Sequence, residues 1–491
     1  MSFSISKIIL HNRAPFEHLE LDFSENQIAV LNAVNGGGKT TILSHIVDAW
    51  YEIVRLGLRN EFQGKEGKYY RVSSAIHNVN MDQYSLSYIR FMKNGKYFDY
   101  VDIRDACDQQ EYEGIVKLEN RIPFAKFQKT IEQSGNAKIL SSSEGKDLEV
   151  ILSNNIITYF PAYRYEEPGY LNEPFNVKTN FSLKSSFIGY LTNPIEVITG
   201  LPKLANWIMD VILDYSIQKQ QLDALLKNKD QAQLEIPLEK VNPFLIYSEL
   251  NTIFTKSLSI KSVKNLSIGI GERHSGALRI QVGGRDDAGK WYTVYPSIFN
   301  MSSGENAIVT LFGEILRQHD NIKPNIFSNL ATGMVLIDEI DKHLHVRLQK
   351  EILPTLLEMF PNIQFIVTSH SPFVSLGLFD NEKTKERTNI IDLDKGCAQI
   401  DPASTQVFKE AYDVMVAEND HFHDLYNELV QKAQSEKLVI VSEGSNGKHI
   451  RRSIEILEPG LLNKLEFSFS ADTGWQQLKN AYDALSNSNF H

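Results

Sequence analysis

The chain has 491 residues, of which 42% are hydrophobic, 23% charged and 10% aromatic, so it should form roughly two to four ordinary globular domains. The formal net charge of −11 excludes a protein that coats nucleic acid through overall basicity, and two cysteines give no disulfide framework. The sequence shows neither the roughly 20-residue apolar run of a membrane-spanning helix nor a signal-peptide pattern, so we expect a cytoplasmic protein without a membrane domain.

The first 55 residues predict strands that lead into a helix. Apolar side chains alternate over Ile5–Leu10 and Leu19–Phe23, and a third strand is expected over Gln27–Leu31. Apolar residues then recur at helical spacing over Thr41–Arg55, with a glycine cluster between strand and helix. The pattern predicts a strand, loop and helix packed on a sheet.

The glycine cluster lies within Asn32–Thr41 and matches a phosphate-binding P-loop. Its backbone N–H groups can surround phosphate oxygens, Lys39 can reach the β- and γ-phosphates of ATP, and Thr40 can ligate Mg²⁺. Ala33 stands at the first glycine position of the motif and would be strained by about 1–2 kcal/mol if that position required a positive φ. The candidate nucleotide-binding residues here are Asn35, Gly36, Gly38, Lys39, Thr40 and Thr41.

Two antiparallel hairpins are predicted further along the chain. Tyr84–Met92 and Tyr97–Ile103 alternate on either side of Asn94-Gly95, a pair suited to a type I′ turn. Leu266–Ile270 pairs with Ala277–Val282 and, after a glycine-rich turn at Gly283–Gly289, Trp291–Tyr295 follows.

A mainly helical insertion is expected between these hairpins, at about residues 170–263. Its best amphipathic segment is Leu204–Leu226, and the heptads of a long coiled coil are missing from it.

A helix beginning near Ser302 and running to about Gln318 offers a second anion-binding end. Serine and glycine occupy its first turn, where free backbone N–H groups and the helix dipole favour a negative ligand. The candidate nucleotide-binding residues at this helix start are Ser302, Ser303, Gly304 and Glu305.

A buried strand that ends in two acids follows at Met334–Ile337. Asp338 is suited to bind Mg²⁺ through its water shell, and Glu339 to polarise the attacking water, which are the roles of a Walker B motif. The next apolar strand, Gln364–Thr368, delivers His370 to a position where it could contact the γ-phosphate. Glu339 and His370 are therefore the candidate catalytic residues.

His343 and His345 invite a metal-site interpretation. At i and i+2 of a helix their side chains project apart, and no third ligand is close in sequence, so we favour a structural role over a metal site.

Beyond a charged helical segment at Gln406–Ser435, Leu438–Val441 predicts a strand that ends at Glu443, and a helix is expected around Lys448–Leu457.

Lys39, the Ser-Ser-Gly-Glu signature, Asp338-Glu339 and His370 occur in the order of ABC-type ATPase heads. In addition, Ile337–His345 resembles the corresponding block of the overcoming lysogenization defect (OLD) family and related SMC-like ATPases. The resemblance implies an α/β ABC-type head, a mixed sheet with flanking helices, over residues 1–400, with the insertion at 170–263. It also implies ATP and Mg²⁺ as cofactors, and head-to-head homodimers or higher oligomers in which one signature caps the γ-phosphate of the partner's site.

Two further resemblances concern single segments. Tyr159–Arg164 is similar to a Y-x-P-x-x-R segment of these ATPases, which implies that Arg164 lies near the head interface; the alternative is a surface arginine. Residues 437–491, after a helical linker at 401–436, resemble the beginning of a Toprim domain. In Toprim nucleases the corresponding glutamate binds a divalent metal together with a later D-x-D pair, so the resemblance implies that Glu443 is a metal ligand. Asp472 is a poor substitute for the D-x-D pair, so the domain is either cut short or degenerate. The alternative is that Leu438–Val441 is only a docking strand.

Two functions compete at this stage. One is an OLD-like, ATP-gated nuclease of bacterial anti-phage defence, which acts on nucleic acid. The other is an ATPase sensor or scaffold that regulates a separate nuclease, a reverse transcriptase or retron RNA/DNA. A transporter's nucleotide-binding subunit is disfavoured, because its signature would follow closely after a glutamine loop in a shorter chain.

Overall fold

The computed structural model describes residues 3–24, 27–58, 60–61, 71–141, 145–164, 189–198, 200–227, 238–258, 266–271, 279–285, 288, 290–323, 327–399, 401–402, 405, 408–409, 438–443, 446–470 and 479. The chain divides into two compact units, Met1–Phe408 and Lys409–His491. No described helix is long and apolar enough to cross a membrane.

The first unit is built on three sheets. Its strands are β1 (Phe3–Arg13), β2 (Phe16–Asp22), β3 (Ile28–Asn32), β4 (Ser85–Lys93), β5 (Lys96–Arg104), β6 (Ala137–Leu140), β7 (Ile156–Phe160), β8 (Leu266–Ile270), β9 (Ile280–Arg285), β10 (Trp291–Tyr295), β11 (Gly333–Ile337), β12 (Ile363–Ser369), β13 (Thr388–Asp392) and β14 (Ala398–Gln399).

The helices of the first unit are α1 (Lys39–Gly57), α2 (Gln109–Ile115), α3 (Gln128–Ser134), α4 (Gly145–Asn154), α5 (Leu201–Lys227), α6 (Leu238–Ser257), α7 (Ser303–Ile322), α8 (Leu353–Leu357), α9 (Pro372–Asp380) and α10 (Glu382–Lys385). A π-helical turn at Leu348–Ile352 leads into α8.

The central sheet has the strand order β14-β13-β3-β12-β11-β7 and is parallel except for the edge strand β14. Every residue of β3, β11 and β12 is buried, as expected for parallel strands covered on both faces. The carboxyl ends of parallel strands meet at one edge, so the segments after β3, β11 and β12 come together there.

An antiparallel sheet with the order β2-β1-β4-β5-β6 lies across α1 from the central sheet. The apolar face of α1, including the fully buried Trp50, packs in one core between the two sheets. At the β4–β5 turn, Asn94 and Gly95 have φ values of 48° and 75°, which confirms the predicted hairpin. The predicted α/β class with mixed sheets is confirmed.

The third sheet, β10-β9-β8, departs from prediction in its glycine-rich part. Gly283 and Gly284 belong to strand β9 rather than to a turn. A Cβ on Gly283 would stand 2.5 Å from Cζ2 of Trp291, so the cross-strand indole occupies the space of the missing side chain.

The described helices of the insertion belong to the core of the first unit. Leu204 and Ile208 of α5, which covers the predicted segment Leu204–Leu226, share one buried cluster with Leu250 of α6 and Phe312 of α7. Most of the predicted linker at 401–436 lies outside the described residues.

The second unit contains a β-α-β arrangement: β15 (Leu438–Glu443), α11 (Asn446–Leu457) and β16 (Leu465–Ser470), with the two strands parallel. The predicted strand and helix are confirmed with slightly wider bounds. Strand β16 was not predicted, although its leucine and phenylalanines alternate with polar residues. Asp472 lies outside the described residues.

Candidate nucleotide site

The P-loop connects β3 to α1 at the carboxyl edge of the central sheet. Gly36 and Gly38 adopt left-handed conformations with φ values of 84° and 82°. Ala33 does not have a positive φ, so the first position of this loop does not require glycine and the conditional strain is absent. Asn35 is exposed on the loop, and Thr41 lies in the first turn of α1.

Lys39, the first residue of α1, is folded back along its own loop. Its Nζ donates hydrogen bonds to the carbonyl oxygens of Ala33 at 2.7 Å and Val34 at 3.2 Å. Burial lowers the pKa of Lys39, and neighbouring carboxylates, with Asp394 the strongest, oppose that shift. The cation therefore holds the loop in the curved form that can receive phosphates.

Asp338, after β11, connects the P-loop side of the site to the end of β12. Its Oδ2 accepts a 2.8 Å hydrogen bond from the hydroxyl of Thr40, and its Oδ1 accepts one of 2.6 Å from the hydroxyl of Thr368. The side chain is buried, with a relative exposure of 1%. Hard oxygen donors at Thr40 and Asp338 fit a Mg²⁺ ion.

Glu339 follows directly and has an unusual backbone. Its φ is 50°, a left-handed conformation that costs a residue with a side chain about 1 kcal/mol or more. Its N–H donates to Oγ1 of Thr368 at 2.7 Å, and the next N–H, of Ile340, donates to the Thr368 carbonyl at 2.9 Å. The chain turns sharply at the acid predicted to act on water.

His370 follows the last residue of β12 and is partly exposed. Ser369, just before it, pairs in register with Asn32 at the start of the P-loop. The structure therefore places His370 at the same sheet edge as Lys39 and Asp338.

The signature forms the start of α7 as a capping box. The backbone N–H of Ser302 donates to Oε2 of Glu305 at 2.9 Å, and the Tyr295 hydroxyl donates to the same oxygen at 2.7 Å. The Glu305 carboxylate is thus turned into its own chain, which indicates a structural role there, whereas Ser303 is exposed.

Gly304 packs against the segment that follows Glu339. A Cβ at Gly304 would stand 2.9 Å from the carbonyl oxygen of His343, so any larger residue would push the two segments apart. The signature of one chain is therefore in contact with the turn that carries its own Walker B acids.

His343 and His345 do not lie on a helix, contrary to the geometry assumed from sequence. Residues 338–343 form turns, with His343 at φ 64°, because α8 and its π turn begin only later. Within the described part of the chain, no group of three histidine, cysteine or acidic side chains is arranged to hold a metal.

Sequence reasoning missed two contributors to the site, Thr368 and Asp394, and did not identify the intrachain partners of Arg164, whose place near a head interface stays a prediction. Thr368 bridges Asp338 and Glu339, and its only sequence signal is a hydroxyl residue at a strand end. Asp394, after β13, accepts a 2.7 Å hydrogen bond from the Val34 N–H and has no local signal. Arg164 donates to the carbonyl oxygens of Asp338 and Glu339, the latter at 2.8 Å, and so belongs to the Walker B turn.

Comparison with known proteins agrees with this geometry. A family model described as an AAA domain matches residues 7–264, more than half of the chain. A second, described as an AAA domain assigned to the AbiEii toxin of a type IV toxin–antitoxin system, matches residues 247–376.

Three relatives illustrate the similarity. The Retron Vc95 probable ATPase of Vibrio cholerae is 24% identical over 84% of this chain and 78% of its own length. The Retron Ec83 probable ATPase of Escherichia coli is 27% identical over 75% of this chain and 69% of its own. The Septu protein PtuA of Bacillus mycoides is 34% identical over 29% of this chain and 21% of its own length.

Among solved structures, the SMC head domain from Thermotoga maritima aligns with 81% of this chain and 98% of its own, at 13% identity and a TM-score of 0.35.

The P-loop, the Walker B acids and the strand order between them define a nucleotide-binding ATPase of the P-loop class. The chain belongs to the AAA-domain family whose model spans residues 7–264.

Proposed function

We propose that this chain is the ATP-binding and ATP-hydrolysing part of a bacterial anti-phage defence system, related to the OLD family. The observation that carries the ATPase assignment is the hydrogen-bonded set of Thr40, Asp338 and Thr368, with Glu339 next to it. The names of the retron and Septu relatives support the defence context.

Each residue has a proposed role in hydrolysis. Lys39 and the P-loop N–H groups would bind the phosphates, and Thr40 and Asp338 would hold Mg²⁺, which would supply positive charge beside the phosphates. Glu339 orients and deprotonates the attacking water, and His370 senses the γ-phosphate. Hydrolysis of ATP would then change the contacts of the turns that follow β11 and β12.

We also propose that two heads associate through ATP. The exposed Ser303 begins α7, at the positive end of the helix dipole, and would meet the γ-phosphate bound by the partner protomer. Each of the two sites would then contain residues of both copies. Nucleotide would stabilise the assembly because it binds the joined form better than the separate one.

The finer function has two candidates. In the first, the second unit is a Toprim-like nuclease domain, which is supported by the β-α-β arrangement and by Glu443 at the end of β15. In the second, the chain is a sensor or scaffold that controls a separate nuclease or a reverse transcriptase with its retron RNA/DNA. The retron relatives favour the second candidate.

The decisive experiment is a phage-plating assay with the chain expressed in its native gene neighbourhood, comparing the unmodified protein with Lys39→Ala, Glu339→Gln and Glu443→Ala. Loss of protection with the first two variants alone supports the sensor or scaffold. Loss with all three supports a Toprim-like nuclease, and full protection with Lys39→Ala contradicts the proposal.

A further inference from the structure

The guanidinium of Arg164 is committed to backbone carbonyls at the Walker B turn. Its Nη1 donates to the carbonyl oxygens of Pro161, at 3.0 Å, and Asp338, and its Nη2 donates to that of Glu339 at 2.8 Å. In the described part of the chain these donors reach no carboxylate. Asp338 and Glu339 therefore keep their carboxylates for other partners.

The backbone that Arg164 holds is the strained part of the site. Glu339 has a φ of 50°. The carbonyls of Asp338 and Glu339 flank its N–Cα bond, and Arg164 donates hydrogen bonds to both of them. Strained conformations of this kind persist only where the surroundings fix them. Two hydrogen bonds from one rigid, planar cation supply such a restraint.

A second cation reinforces the same connection. The Lys342 Nζ donates a hydrogen bond to the carbonyl oxygen of Ala162. Each of the segments 161–164 and 338–342 therefore donates a side-chain hydrogen bond to the backbone of the other. The 161–164 segment directly follows β7, whose last residue, Phe160, accepts a 2.9 Å hydrogen bond from the Asp338 N–H. The end of β7 and the Walker B turn therefore form one hydrogen-bonded body.

Burial lowers the pKa of Arg164, while the charges of Asp338, Glu339 and Asp341 oppose that shift. An arginine has an ordinary pKa above about 12 and keeps its charge in proteins. A permanent cation at the ends of these carbonyls also stabilises the negative charge that the neighbouring acids bring to the site.

We propose that Arg164 is a positioning residue that fixes the left-handed Glu339 backbone and so aims the Glu339 carboxylate at the attacking water. The inference rests on the proposed ATPase function and adds to it a residue that acts through Glu339 rather than on the nucleotide. Because the described hydrogen bonds of Arg164 go to backbone carbonyls of its own chain, we expect Arg164 to support hydrolysis and to contribute little to ATP affinity.

The test is a double-mutant cycle measured by single-turnover hydrolysis of labelled ATP and by equilibrium binding of a fluorescent ATP analogue. Arg164→Gln should slow hydrolysis by about 10–100-fold, the usual cost of removing a supporting partner, and leave ATP affinity nearly unchanged. Arg164→Lys should recover part of the rate, because it keeps the charge but not the planar pair of donors. The matched control is Arg347→Gln, which removes an exposed arginine paired with Glu351 and should alter neither quantity.

The cycle then asks whether Arg164 acts through Glu339. Arg164→Gln combined with Glu339→Gln should hydrolyse ATP no more slowly than Glu339→Gln alone, because the group being aimed is already inactive. A further loss in the double variant, or weakened ATP binding with an unchanged rate in Arg164→Gln, overturns the proposal in favour of direct phosphate contact.

Two measurements distinguish a failure of the Arg164 proposal from a failure of the proposed ATPase function. If Glu339→Gln hydrolyses ATP at the unmodified rate, the assignment of the base fails, whatever Arg164 does. If Arg164→Gln has a melting temperature well below that of the unmodified protein, the rate of Arg164→Lys is compared with the unmodified rate instead. An Arg164→Lys protein that folds normally and is fully active contradicts a role for the two-donor geometry.

Discussion

Strands β11 and β15 are both rich in aliphatic residues and both lead into acids, but the surroundings of these acids differ. Strand β11 lies between β12 and β7, is buried along its whole length, and ends at Asp338 and Glu339. Strand β15 pairs with β16 in a two-stranded sheet, and Leu438 at its start is 69% exposed. Both segments look alike in sequence, as an aliphatic run followed by carboxylates.

The difference is in the groups that neighbouring strands deliver. The end of β11 receives hydroxyls from α1 and β12 and a guanidinium from the segment after β7. At the end of β15, the backbone of Glu443 pairs in register with Ser470 of β16. In a wide parallel sheet the ends of several neighbouring strands meet at one edge, so the acids that follow β11 are surrounded by side chains from the other strand ends.

Removing the P-loop lysine should have the strongest effect on the site at the end of β11. Lys39→Ala should weaken ATP binding by at least about 100-fold, because it removes charged hydrogen bonds to the phosphates and those that hold the loop. Equilibrium binding of a fluorescent ATP analogue measures this. Lys350→Ala, which changes a lysine paired with Asp380 on the surface, is the control and should bind normally.

Glu339→Gln separates binding from chemistry at the same strand end. We expect normal ATP affinity and hydrolysis slower by about 10²–10⁴-fold, the contribution of a positioned general base. Release of phosphate under saturating ATP checks the rate. Hydrolysis at the unmodified rate would show that another group activates the water.

Thr368→Val tests whether a neighbouring strand makes the β11 acids functional. The change removes the hydroxyl that donates to Asp338 and accepts from the Glu339 N–H, and hydrolysis should fall by about 10–100-fold. Thr368→Ser keeps the hydroxyl and should retain most of the rate. Thr252→Val removes the hydroxyl of a partly exposed threonine in α6 and controls for the substitution itself. Equal losses in Thr368→Val and Thr252→Val would refute the specific role.

Ser303→Arg extends the comparison to a second copy of the chain. In a Glu339→Gln background, ATP should raise the sedimenting mass, and Ser303→Arg should prevent this rise because the larger cation blocks the partner's phosphate site. Ser153→Arg, an exposed serine of α4, should have no effect. If the ATP-free protein is already dimeric, a crosslink between position 303 and the partner's P-loop replaces sedimentation, and its absence with ATP bound contradicts the shared site.

The smallest expected effect lies at the end of β15. Several carboxylates must converge on one or two divalent ions for phosphodiester cleavage, and a single acid is insufficient. This chain, supplied with ATP, Mg²⁺ or Mn²⁺ and plasmid DNA or structured RNA, should therefore show no cleavage on a gel. Glu443→Ala should leave ATP hydrolysis unchanged. Metal-dependent cutting that Glu443→Ala abolishes would sink the prediction and place Glu443 in a complete site.

Sequence patterns alone predict the local parts of the candidate nucleotide site. The Gly-Lys-Thr run, the aliphatic strand before Asp338-Glu339 and the serine that caps α7 are short patterns whose backbone conformation depends on their own residues, so strand, loop and helix could be predicted at each. The Asn94-Gly95 turn belongs to the same group, since both residues tolerate the positive φ that the turn requires.

Only the tertiary structure decided which of these parts meet and what joins them. The hydrogen bond from Thr40 to Asp338 spans 298 residues of sequence, that from Arg164 to the Asp338 carbonyl 174, and that from Val34 to Asp394 360. These contacts follow from the order β13-β3-β12-β11-β7 and from register, which are properties of the whole sheet. Arg164 could therefore not be placed under the Walker B turn from its motif, because its partners are backbone carbonyls, which every residue carries, and only their position in space distinguishes them.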